Sequence, residues 1–139
     1  MIHPYLTFSG NCREALEFYE KAFETAPPRI MTFGDSPAAK DLPLTDMDKK
    51  LVMHGEIIIA GSRVMASDVA HSANFTQGNN ISLAVTSSDE RKLRRWFAAL
   101  SRNGHVEMDP IETPWSRFYG SVTDKFGVRW QLTHENEQH

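Results

Sequence analysis

The sequence predicts an α+β fold in which one strand–helix–three-strand unit is written twice. Three observations carry this. Two stretches with helical spacing, "NCREALEFYEKAFE" and "SDERKLRRWFAALSRNG", each follow a stretch that alternates like a strand. Each is followed by three further strand-like segments punctuated by turn residues. The alternating segments have unlike sides, apolar on one and polar on the other, as a sheet covered by helices on one face requires.

In "HPYLTFSG", Leu6 and Phe8 alternate with His3, Tyr5 and Thr7. The next segment places Cys12, Ala15, Leu16, Tyr19, Ala22 and Phe23 on one helical stripe. Asn11 and Glu14 have the spacing of a cap pair, and Ala26 to Pro28 stop the helix. "RIMTF", "LVMHGEIII" and "RVMASDV" then read as strands, the last two joined by a turn at Gly61-Ser62. The pattern restarts at "NISLAVTSS", with Ile81, Leu83 and Val85 alternating against Asn80, Ser82 and Ala84. Leu93, Trp96, Phe97 and Leu100 make the second helical stripe. Ser87 and Glu90 repeat the cap spacing, and Asn103-Gly104 is the stop. "HVEM", "RFYGSVTD", a turn at Phe126-Gly127 and "VRWQLTH" complete the second set.

Two such βαβββ modules give a curved eight-stranded mixed sheet around a cleft, with helices on the outer face. The 139 residues form one domain: module one over about 1–70, a linker over 71–78 and module two over 79–139. The Pro- and Asp-rich stretch from Asp35 to Lys50 reads as a mobile surface loop, with a lid over the site as the second reading.

Composition excludes several classes. Hydrophobic residues make up 40% and charged residues 24%, an ordinary globular balance. The net charge of −3 argues against nucleic acid, whose phosphates need a clustered basic surface. The densest basic run, Arg91 to Arg95, lies on a helix beside acidic residues and reads as a solvated face. A lone cysteine, Cys12, cannot form an internal disulfide and falls on the apolar helix stripe. No stretch approaches the roughly 18 apolar residues of a membrane span, and "MIHPYLTFSG" lacks a signal-peptide pattern. The expected location is cytoplasmic, with no membrane partner.

With this organisation laid out, "PYLTFSGNCREALEFYEKAF", "IIIAGSRVMASD" and "YGSVTDKFGVRWQL" carry a resemblance. The chain resembles the vicinal oxygen chelate superfamily, the glyoxalase/bleomycin resistance/dioxygenase fold. Within it the chain is similar to the PhnB-like branch, also labelled demethylubiquinone methyltransferase-like. Methyl transfer itself is not expected, because "FSGN" and "TSSD" are short loops committed to starting helices, not glycine-rich cradles for S-adenosylmethionine. In metal-dependent members each unit supplies two ligands, from its first and last strands, to a divalent ion that activates substrate oxygens. The resemblance carries these positions onto His3 and Ser67 in module one, and onto Asn80 and Gln131 in module two. Serine and asparagine are poor ligands for zinc, nickel, manganese or iron. The metal candidates are therefore His3 and Gln131, with His54 and Glu56, two apart on one strand face, as a further pair.

The resemblance thus implies a small organic ligand in a cleft lined by His3, Tyr5, Ser67, Asn80, Trp115, Tyr119 and Gln131. The alternative is a divalent-metal-dependent isomerase, lyase or dioxygenase acting on vicinal oxygens. Phe118 is expected beside Trp115 and Tyr119 in the pocket wall. His71 in the linker, and Glu107 and Glu112 around Pro110, are secondary candidates; His134 and His139 read as a polar tail. The resemblance also implies a homodimer.

Overall fold

The strand periods of the sequence become two four-stranded sheets, one per module. The computed structural model describes residues 1–37, 43–69 and 74–136. The chain divides into two compact units, residues 1–76 and 77–139. The first contains β1 (Tyr5–Phe8), α1 (Cys12–Phe23), β2 (Arg29–Thr32), a 3₁₀ turn (Phe33–Asp35), α2 (Asp46–Lys50), β3 (Val52–Ile59) and β4 (Ser62–Asp68). The second contains β5 (Leu83–Ser87), α3 (Glu90–Leu100), β6 (His105–Thr113), β7 (Ser116–Thr123) and β8 (Arg129–His134). The α+β class and the doubled βαβββ order are as predicted. The eight strands, however, are shared between a sheet of order β1-β4-β3-β2 and another of order β5-β8-β7-β6, each bonded within its own module. In both, the first strand runs parallel to the last, and the remaining pairs are antiparallel.

One helix covers one face of each sheet. All six predicted stripe residues of α1 are buried, and so are Leu93, Trp96, Phe97 and Leu100 of α3. They meet the inward residues of the strands: Phe8, Val52, Ile57, Val64 and Ala66 in the first unit, and Val85, Phe118, Val122, Trp130 and Leu132 in the second. Each such large side chain contributes roughly 1.5–3 kcal/mol by leaving water. A glycine occupies the same place in both sheets: Gly55 pairs with Ala66, and Gly120 with Leu132. A Cβ at Gly55 would sit 2.6 Å from Leu16 Cδ1, and one at Gly120 would sit 2.9 Å from Phe97 Cε2. The helix lies so close to the third strand of each unit that this position has no room for a side chain.

Phe118 departs from its expected place. It is buried on the helix face of β7, edge-on to Phe97 with ring centroids 6.0 Å apart, under the Arg94 guanidinium. The pleat decides this: Phe118 is one residue from Tyr119, so the two point to opposite faces. Ile81 also departs, lying ahead of β5 and 74% exposed. The turn between β3 and β4 is Ala60-Gly61 rather than Gly61-Ser62, and both residues have positive φ, as a two-residue hairpin loop demands.

Neither helix starts with its predicted cap pair. Asn11 makes no side-chain cap bond. Instead Asp68, at the end of β4, accepts from the backbone N–H groups of Gly10 (2.9 Å) and Cys12 (3.0 Å) with Oδ1, and from that of Val52 (2.9 Å) with Oδ2. A buried carboxylate from a distant strand thus takes the orphan donors that a local cap would satisfy. In α3 the cap is Asp89, which accepts from the N–H groups of Arg91 and Lys92, because β5 continues through Ser87. The second unit has its own buried carboxylate. Asp124 accepts from Phe126 and Val128 N–H and from the Trp130 indole, closing the β7–β8 turn.

Part of the insertion read as a mobile loop is ordered. Thr45 and Asp48 form a reciprocal capping box that starts α2, and Thr32 and Asp35 form another on the 3₁₀ turn. Residues 38–42 of that insertion, and His71 and His139, lie outside the described residues. Among the described residues no helix is long and apolar enough to cross a membrane.

Two outcomes follow from the Asp68 clamp. Asp68→Ala strands three N–H groups and is expected to lower stability by about 3 kcal/mol in denaturant unfolding, with Asp68→Asn costing less because one acceptor oxygen remains. The Cys12 thiol is pushed up to about 12, first by burial and then by the charge of Asp68. Its thiolate is therefore scarce at neutral pH, and the folded chain should resist alkylation that proceeds at once on denaturation, as mass spectrometry would read.

Candidate functional site

The face of each sheet away from its helix carries the polar side chains. In the first unit, register places His54 and Glu56 of β3 beside Met31 and Arg29 of β2, and Glu56 beside Met65 of β4, which in turn pairs with Tyr5. The side chains bond across this face. His54 Nε2 lies 3.0 Å from Glu56 Oε1, and His54 Nδ1 lies 3.4 Å from the Tyr5 hydroxyl. The Tyr5 and His54 rings are 5.8 Å apart. Arg63 Nη1 approaches Glu56 Oε1 at 3.8 Å. The Glu56 carboxyl is held below its ordinary range, chiefly by the hydrogen bond from His54, with the positive charges of Arg63 and Arg29 adding to it.

In the second unit the centre is Gln131. Its Oε1 accepts from the Tyr119 hydroxyl at 3.1 Å, and its Nε2 donates to Ser82 Oγ at 2.8 Å. Arg129 donates to the Asn79 carbonyl, and Thr123 donates to Glu107 Oε1 at 2.9 Å. Gln131, Tyr119, Ser82 and Thr133 are half-buried, so this face is polar without being fully washed by solvent.

The predicted site residues fall out unevenly. Tyr5, His54 and Glu56 come together on the first face, and Tyr119 and Gln131 on the second. His3 is half-buried just ahead of β1, and Ser67 is half-buried beside Thr7. Asn80 is exposed and outside any strand; the residue that reaches Gln131 is Ser82. Alternation had put Ser82 on the same side as Asn80, two residues nearer the strand, so the signal was present. Trp115 sits in the β6–β7 turn and is 73% exposed. Glu112 is exposed on β6. His134 is no part of a loose tail: it ends β8, is buried, and its carbonyl accepts from the Ser116 hydroxyl. The insertion residues Thr45 to Asp48 line a groove with Ser9, Gly10, Leu51 and Val69, at the C-terminal ends of β1 and β4.

Superposing the registers of the two modules gives a sharper map. Gly55 and Gly120 are equivalent, so His54 matches Tyr119, Glu56 matches Ser121, Met65 matches Gln131 and Arg63 matches Arg129. On the first strands Tyr5 matches Ala84, and two residues earlier His3 matches Ser82. The counterpart of Gln131 is thus Met65 and not Ser67.

Metal chemistry needs at least three converging donors. Among the described residues no three His, Cys, Asp or Glu side chains are gathered in that way. His54 and Glu56 turn their donor atoms on one another, and both ends of the Gln131 amide are already bonded. The donor set on the two faces does not match the divalent ion that the superfamily implies.

The chain matches the family described as 3-demethylubiquinone-9 3-methyltransferase over residues 1–133. It is 32% identical over 143 residues to Protein YjdN of Escherichia coli (strain K12), covering 99% of this chain and 97% of that protein. The crystal structure of protein PA1353 from Pseudomonas aeruginosa is 31% identical with a TM-score of 0.84, covering 99% of this chain and 98% of that one. A PhnB protein from Bacillus cereus, described as a putative 3-demethylubiquinone-9 3-methyltransferase, is 30% identical with a TM-score of 0.73, covering 96% and 98%. The fold extends further: a glyoxylase/bleomycin resistance protein/dioxygenase domain from Frankia sp. EAN1pec matches at a TM-score of 0.65 and 9% identity, covering 98% and 97%. With doubled βαβββ modules, and with sequence identity that runs the length of the chain, the protein belongs to the PhnB-like 3-demethylubiquinone-9 3-methyltransferase family and shares its fold with glyoxalase/bleomycin resistance proteins.

Proposed function

We propose that this chain binds a small organic ligand on the open, polar faces of its sheets, and that it does so without the divalent ion used elsewhere in the superfamily. The observation that carries this reading is the Gln131 amide. It is held at both ends, by Tyr119 and by Ser82, in the middle of a half-buried face that packing does not need. The helix face of the same strand already supplies the core through Trp130 and Leu132. A side chain ordered at that cost in rotamer freedom is positioned to meet something. Gln131 retains one N–H and one carbonyl lone pair, and Tyr119 retains its hydroxyl lone pairs, so the face offers both donor and acceptor.

Methyl transfer is left out of the reading. The connections that follow β1 and β5 are residues 9–11 and 88–89. Their backbone groups are engaged: Gly10 N–H by Asp68, and Asp89 N–H by the Ser87 hydroxyl. Such loops, two or three residues long and starting helices, lack the length to cradle a nucleoside cofactor.

The test is a thermal-shift screen of the whole chain against small organic compounds, followed by calorimetry on those that raise the melting temperature. A binder should lose roughly tenfold or more in affinity in Gln131→Ala, since a buried polar contact is worth on the order of 1–2 kcal/mol. Unchanged affinity in that variant, with the fold intact, would discard the second sheet's open face as the site.

A further inference from the structure

The two modules share a backbone but not an open face. On the open faces the Arg63/Arg129 pair is common to both, and the other equivalent positions named above differ. The second module carries the neutral set Tyr119, Ser121 and Gln131. The first carries Tyr5, His54 and Glu56, and these are bonded in a row. The pleat alone does not dictate the chemistry of the row, because in the second module the same face carries a row without titrating acid or imidazole, Tyr119–Gln131–Ser82.

We propose that Glu56, His54 and Tyr5 form a proton relay, which removes a proton from a weakly acidic C–H or O–H group of a ligand lying on the first sheet's open face. The order of the groups is chemically specific. Glu56 is an acceptor toward His54 Nε2, so the imidazole carries its proton there. Nδ1 is then left with a lone pair, and the Tyr5 hydroxyl is the donor in front of it. Tyr5 is 49% exposed and stands at the open end of the row, while Glu56 is the more enclosed member. In the forward step the ligand's proton passes to Tyr5 Oη as the phenol's own proton passes to His54 Nδ1. The ligand leaves as its conjugate base, tyrosine is neutral before and after, and the new imidazolium faces the Glu56 carboxylate. Glu56 acts as a positioning residue that fixes the tautomer, and Arg63 Nη1 stands 3.8 Å from its carboxylate. The ligand class is a compound with a proton made acidic by a neighbouring carbonyl or an aromatic ring. The relay rests on the reading that the open faces meet a ligand, but its groups belong wholly to the first unit, whereas Gln131 belongs to the second.

Two measurements on the whole 139-residue chain test it. Long-range proton–nitrogen NMR at neutral pH should show His54 as the Nε2–H tautomer, and Glu56→Ala should turn it into a mixture. That readout needs no ligand, so it stands apart from the screen. The second uses 5-nitrobenzisoxazole, in which loss of the ring C–H proton breaks the N–O bond and leaves a coloured phenolate. The wild-type chain should accelerate this reaction over buffer. His54→Gln should return it to the buffer rate and Tyr5→Phe should lower it about tenfold, with melting temperatures showing that both variants fold. A mixed or Nδ1–H tautomer in the wild type, or equal rates for wild type and His54→Gln, would overturn the relay.

Discussion

A single helix lies on each four-stranded sheet, and the two-residue pleat converts that fact into almost everything else. Once α1 and α3 have claimed one side, every second residue of β3, β4, β7 and β8 is committed to the core and its neighbour to the opposite face. The constraint is tight enough to exclude a side chain altogether at Gly55 and Gly120. A slip of one residue in β8 would bury Gln131 and Thr133 and expose Trp130 and Leu132, at a cost of several kcal/mol. The open faces are polar because the covered faces already hold the apolar residues needed for stability.

Much of this was legible in the sequence because periodicity is local. The α1 and α3 stripes, the doubled order and the inward Trp130 and Leu132 all follow from alternation or helical spacing. The helix caps were not legible, since Asp68 is far along the chain from Gly10 and Cys12 and no spacing rule links them. Asp89 was missed for a different reason: Ser87 is the last residue of β5, so the cap falls two residues later, a boundary that the Ser87–Glu90 spacing does not fix. Phe118 shows the limit of residue type, since an aromatic beside Tyr119 reads as pocket wall until the pleat sends the two rings to opposite sides.

The candidate site was half legible. Gln131 stood out as a polar residue at the centre of a strand whose other side is apolar. Its partners did not, because choosing between Asn80 and Ser82 requires the parallel register of β5 on β8, where Ala84 pairs with Gln131. The resemblance to the chelate superfamily pointed to the first and last strands of each module, but with a ligand pattern that these side chains do not follow. His54 and Glu56 were visible as a pair on one face; that they turn toward each other, with Tyr5 joining from β1, depends on β1 lying next to β4.

The parallel pairing of β1 with β4 also bears on how the chain is made. The N-terminal strand leaves the ribosome early, but its neighbour in the sheet is the last strand of its module. Until Asp68 has been synthesised, β1 has no edge to join, and the start of α1 and the N–H of Val52 have no carboxylate. Closing so long a loop is slow compared with forming a hairpin. The nascent first module therefore waits, incomplete, for the last residue of β4, and that one aspartate supplies both the strand edge and the carboxylate that its beginning needs.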